Sequence, residues 1–150
     1  MRVLVDTNVL ARVAHKKLPH TPVAQAALEQ LWSDGHELRV VPQVLYEYWS
    51  VATRPVDQNG LGFSTEIVNG DVSRFQRIFS VLRDERGILD PWQQIVRERN
   101  VVGKQSHDAR LVAAMLRHGL THLLTFNIAD FVRYGGIEVL DPHAIASAST

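Results

Sequence analysis

The sequence predicts an α/β fold in which a parallel sheet is covered by helices on both faces, and three features of the chain predict it. Apolar runs of strand length alternate with longer segments whose apolar residues fall at helical spacing. Proline and glycine punctuate those segments where helices start and stop. Polar groups also gather just past the ends of two apolar runs, at Asp6 and at Thr125-Phe126-Asn127. In open α/β sheets that carboxyl edge of the strands is where ligands bind.

The first strand is expected over residues 2–6. Val3-Leu4-Val5 is too short an apolar run for a helix, and Val9, Leu10 and Val13 then support a helix over residues 7–15. Thr21-Pro22 reads as an N-cap with proline at the first helical position. Ala26, Ala27, Leu28, Leu31 and Trp32 carry that helix to Gly35. Residues 37–41 read as a strand closed by Pro42, followed by a third helix to Arg54, where Pro55 ends it. Residues 55–70, with their glycines and Asn59, read largely as loop. Asp71 is expected to cap a helix to about residue 84, with Val72, Phe75, Ile78, Phe79 and Leu82 on one face. Asp90-Pro91 opens another helix to about Asn100, and Ser106 caps one over residues 107–118 that Gly119 stops. A strand over residues 121–125, a helical turn over 128–134 and a last strand over 137–140 complete the pattern, and the Ala/Ser-rich tail from about residue 144 is expected to fray. No repeat, linker or low-complexity segment appears, and 150 residues suit one domain.

Composition narrows the function classes. The 16 basic and 16 acidic residues leave no formal net charge, which argues against a general nucleic-acid coat. Arg12, Lys16 and Lys17 nevertheless cluster, as flanking phosphates would require or as a solvated basic face would show. The absence of cysteine excludes disulfides, thiolate metal sites and cysteine nucleophiles. No signal-peptide pattern is present and no apolar stretch reaches membrane-spanning length, so a cytoplasmic location is expected.

Most acidic residues read as caps or solvated faces, but some break the pattern. Asp6 sits bare at a strand end. Glu47 shares a helix face with Val44 and Val51, where a carboxylate is costly unless partnered; otherwise it lies at the stripe's edge and reaches water or an arginine. Asp108 precedes Leu111, Val112 and Met115 on an inward face, while a first-turn Asp is also favoured by the helix dipole alone. Asn127 and Asp130 follow a strand, where a simple helix cap is the competing account. Together, two strand ends and two helix positions deliver oxygen ligands to one edge of one sheet. Hard oxygens without Cys or suitably spaced His suit Mg²⁺ or Mn²⁺, and acids holding such ions are suited to phosphodiester hydrolysis. His107 neighbours Asp108, but adjacent helical residues point apart, which favours an exposed or capping role over a general acid.

On the stretches Val5-Asp6-Thr7-Asn8-Val9-Leu10, the Glu47 helix, Gly103 with Ser106-His107-Asp108-Ala109, and Leu124-Thr125-Phe126-Asn127 with Asp130-Phe131, the chain resembles a PIN domain, and more closely a VapC-family toxin of a toxin–antitoxin pair. The pieces occur in the family's order across nearly the whole chain. The resemblance implies a three-layer α/β/α fold with a central parallel sheet and a metal-dependent endoribonuclease site. It implies Asp6 and Asp108 as direct ligands of Mg²⁺, or Mn²⁺, and Glu47 completing the acidic centre. At the fourth position, often Asp, stands Asn127, with Asp130 three residues on. Thr7, Asn8 and Thr125 would support the site. The family further implies a cognate antitoxin and toxin homodimers. Tyr46, Trp49 and Trp92 could serve such surfaces, although core packing is the plainer account of Trp49.

Haloacid-dehalogenase-like phosphatases also place an Asp after the first strand, but with a second Asp where Asn8 stands here. A receiver domain needs a Lys after a late strand, and the lysines are Lys16, Lys17 and Lys104. The stronger rival is a PIN-like module that binds RNA or protein without cutting, to which Asn127 and the zero net charge point.

Overall fold

The computed structural model describes residues 1–148, and its strands form one parallel sheet. β1 (Arg2–Val5) lies at the centre between β2 (Glu37–Val40) and β4 (His122–Leu124), with β3 (Ser80–Val81) and β5 (Glu138–Leu140) at the edges, in the order β3-β2-β1-β4-β5. Val3, Leu4 and Val5 are fully buried, as a strand covered on both faces requires. Leu4 pairs with Arg39 on one side and Leu123 on the other.

The chain runs outward from β1 to β3, then returns past β1 to β4 and β5. With right-handed crossovers, the helices of the outward run cover one face: α1 (Thr7–Ala14), α2 (Thr21–Ser33), α3 (Pro42–Thr53) and α4 (Thr65–Ile78). Those of the return, α5 (Leu89–Glu98), α6 (Gln105–His118) and α7 (Ile128–Phe131), cover the other. The packing agrees: α1 meets α2 and α3, α3 meets α4, α5 meets α6, and α6 meets α7. This is the α/β/α arrangement expected from the sequence. The reversal of direction between β1 and β4 opens a crevice at their carboxyl ends. Among the described residues no helix is long and apolar enough to cross a membrane.

Several local details differ from the sequence reading. The helix expected from Asp71 begins at Thr65, capped by Ser64, whose Oγ accepts from the Ile67 N–H at 3.2 Å. Asn69-Gly70 looks like a breaker, yet α4 runs through it, at a cost of about 1 kcal/mol for a glycine in a helix interior. Asp71 is consequently buried inside α4, where it accepts from the Tyr48 hydroxyl at 2.6 Å and from Arg74 at 3.0 Å. The helix stops at Ile78, and Ser80–Val81 form β3. Ser106 lies inside α6 rather than at its cap; its carbonyl accepts from the Trp92 indole at 2.9 Å. Thr21 is the first residue of α2, and His20 takes the flanking position at φ 64°. The tail expected to fray from about residue 144 instead forms α8 (Pro142–Ala148), packed on α2, while residues 149–150 lie outside the described residues.

Candidate active site

The crevice is built first from backbone continuity. The Asp6 N–H donates to the Leu124 carbonyl at 3.1 Å, extending the β1–β4 ladder by one residue and bringing Asp6 against Thr125. The Asp6 carboxylate caps α1, with Oδ1 accepting from the Thr7 N–H at 2.7 Å. Its Oδ2 accepts from the Thr125 hydroxyl at 2.7 Å and from the Asn8 amide at 3.1 Å. Thr125 Oγ1 in turn accepts from Asn8 Nδ2 and from the Asn127 N–H, both at 3.0 Å, which exhausts a hydroxyl's capacity. Asn8 Oδ1 accepts from the Phe126 N–H at 3.0 Å. The two strand ends are thus stitched into one polar knot around a carboxylate only 5% exposed.

Burial pushes the Asp6 carboxyl up to about 6, an effect the hydrogen bonds from Thr125, Thr7 and Asn8 partly oppose and the nearby Glu47 charge reinforces. Glu47 approaches from α3. Its Oε2 lies 3.2 Å from the Thr7 hydroxyl and its Oε1 accepts from Gln43 at 2.9 Å. Asp108 enters from the first turn of α6. Desolvation, then the charges of Asp130, Asp6 and Glu47, push its carboxyl up to about 6, against a small lowering by His107. Among the described residues, no Lys or Arg is ion-paired to Asp6, Glu47 or Asp108.

These groups line a cavity of about 480 Å³, walled by Asp6, Asn8, Glu47, Asp108 and Asn127 and, opposite in charge, by Arg12 and Arg54. Asp130 is exposed on α7 and does not line the cavity, although its charge reaches Asp108. The Arg12 guanidinium carbon lies over the Phe126 ring, 4.5 Å from its centroid, and the side chain donates to the Asn8 carbonyl at 2.7 Å; burial lowers its pKa. Lys16, Lys17 and His107 are exposed and stand outside the cavity. Trp49 is not a core residue: it is 37% exposed and, with Tyr46 at 66%, borders a separate surface groove.

The PIN domain family model matches residues 3–137. The chain belongs to the PIN domain family. Among solved structures, this PIN domain is similar to a chain of VapBC-1 from nontypeable Haemophilus influenzae, with 15% identity and a TM-score of 0.67 over 95% of this chain and 98% of that one. A chain of DNA-bound VapBC from Salmonella typhimurium matches at 20% identity and a TM-score of 0.63, over 95% and 98% of the two chains. VapC20 from Mycobacterium tuberculosis, described as a sarcin–ricin loop cleaving toxin, matches at 17% identity and a TM-score of 0.56, over 81% and 86%. At these identities the likeness is one of fold. No curated protein sequence matches the chain.

PIN membership raises the question of a divalent cation. The donor chemistry fits one: hard oxygens from Asp6, Glu47 and Asp108, drawn together and destabilised by one another, with no cationic side chain paired to them. Among the described residues, no three His, Asp or Glu side chains already converge at ligand distance. The sequence reading missed Gln43, Arg54 and Arg110 around this site. For Gln43 a signal existed, since it stands one helical turn before Glu47. For Arg54, at a helix end before Pro55, none did.

Proposed function

We propose that this PIN domain is a Mg²⁺- or Mn²⁺-dependent endoribonuclease, the toxin of a toxin–antitoxin pair acting in the cytoplasm. The supporting observation is the convergence of Asp6, Glu47 and Asp108 on one crevice, where their proximity is unfavourable until a cation joins them. Asp6 and Asp108 would hold the ion, with Asn127 or Asp130 as the fourth group. A bound divalent ion supplies Lewis-acid stabilisation of the scissile phosphate and makes water more acidic. The chain's own groups do the remainder. Glu47, held by Thr7 and Gln43, would orient the attacking water and accept its proton as the water oxygen bonds to phosphorus; the leaving oxygen departs and takes a proton from solvent. Arg12 and Arg54 at the cavity wall contact flanking phosphates. The VapBC neighbours support a protein antitoxin as partner, with a toxin homodimer as the assembly.

The deciding assay is cleavage of total tRNA and rRNA with and without Mg²⁺. Asp6→Asn and Asp108→Asn each should lower the rate by roughly 100-fold or more, since several kcal/mol of transition-state stabilisation depend on the ion. Full metal-dependent cleavage by either folded variant means the ligands are misassigned. One observation favours a second reading, an RNA- or protein-binding module without activity: Asn127, at the fourth position, carries no charge. Wild-type protein that binds RNA yet leaves it intact under millimolar Mn²⁺ supports that module.

A further inference from the structure

Gln43 is a glutamine that hydrophobic patterning would leave as an ordinary helix residue, yet it is only 7% exposed and its amide is fully engaged. Nε2 donates to Glu47 Oε1 at 2.9 Å and to the His107 carbonyl at 2.8 Å. Oε1 accepts from Arg110 Nη1 at 3.0 Å, and the other arm of Arg110 is held by Asp84 at 3.0 Å. The polarity of the amide is dictated by its neighbours. A carboxylate and a carbonyl can only accept, and a guanidinium can only donate, so one orientation satisfies all three. Glu47 belongs to α3 and Asp108 to α6, two helices assigned to opposite layers of the sheet. The His107 carbonyl is one peptide from Asp108. A single side chain therefore grips one acid and the backbone carrying another.

We infer that Gln43 is a positioning residue of the acidic centre: its amide sets the Glu47 carboxylate and clamps the α3 turn to the start of α6, with Arg110 holding the amide in register. The inference rests on the nuclease reading above. It differs from simple core packing in one respect. If Gln43 works through Glu47 as well as the Asp108 backbone, its removal matters most while Glu47 is present.

The test compares Gln43→Leu, Glu47→Ala and the double variant in the full chain. Circular dichroism checks the fold, Mn²⁺ titration calorimetry on the protein alone gives ion affinity, and RNA cleavage gives kcat and KM separately. Gln43→Leu should weaken Mn²⁺ binding and kcat by about 10- to 100-fold, the scale of lost outer-sphere partners, with KM little changed. In the Glu47→Ala background the same change should have a clearly smaller effect on Mn²⁺ affinity, the remainder reporting the hold on the backbone before Asp108. Equal effects in both backgrounds, or wild-type values for Gln43→Leu, overturn the inference while leaving the nuclease intact. Wild-type protein that neither binds Mn²⁺ nor cuts RNA overturns the reading beneath it and the inference together. Should Gln43→Leu not fold, Arg110→Ala carries the comparison: a loss restored by Arg110→Lys supports the clamp, and no loss overturns it.

Discussion

Asp108 shows how a single residue can be costly to the fold and useful to the site. Its carboxyl is raised from 3.8 to about 6 by desolvation and by three neighbouring acids. The native state thus holds this proton more firmly than the unfolded chain. That advantage is complete below about pH 4 and is lost as pH rises through about 6. Asp108→Asn should therefore stabilise the protein at pH 7 by about 1 kcal/mol, discounted for its half-exposed position, and the gain should vanish near pH 4 in urea titrations. Asp6 carries the same sign, but its carboxylate is also the α1 cap. Both aspartates were legible in the sequence, because an acid after a buried strand and an acid on an inward helix face each violate a pattern. Gln43 was legible only as a neighbour one turn before Glu47; its role was not, since an uncharged amide violates nothing until its partners, 64 and 67 residues away, are brought to it. Asp130 sits between the two outcomes: it is exposed on α7, yet, after desolvation, its charge is the first among the acids that raise Asp108.

Elements were legible where apolar periodicity coincides with a cap or a proline or glycine boundary, as in α1, α3 and α6, and illegible where it does not. β3 has two residues, too few for any alternation to register. α8 carries no apolar stripe and owes its helix to Pro142 and to packing on α2. α4 was misplaced because Asp71, read as a cap, is a tie between helices. The Tyr48 hydroxyl of α3 donates to it at 2.6 Å, and His15 at the end of α1 closes the group, its Nε2 being 2.7 Å from that hydroxyl and 3.3 Å from Asp71. This polar node joins three helices on one face of the sheet. Tyr48→Phe leaves the Asp71 carboxylate short of a donor in a buried place, and should cost about 1–3 kcal/mol in the same urea assay. A change under about 0.5 kcal/mol would mean that Arg74 and His15 satisfy the acid without the hydroxyl.

For the molecule as a whole, neutrality of net charge coexists with an acidic crevice that, on the nuclease reading, would receive a polyanion. Attraction then comes from few cations, Arg12 and Arg54, at the cavity wall. Two phosphate contacts on a single strand predict a slope of about −1.4 for log affinity against log salt, measured with an uncut RNA in the absence of divalent ions. A slope beyond roughly −3 would bring Lys16, Lys17 or a partner subunit into the footprint. The sheet order has a temporal consequence as well. β1 is translated first and sits at the centre, but its neighbour β4 comes after residue 121, and the knot around Asp6 waits for Thr125. A nascent chain on the ribosome therefore carries its first acid long before it has the other half of the crevice. On the nuclease reading, the site stays unassembled during synthesis until Thr125 has emerged to join Asp6.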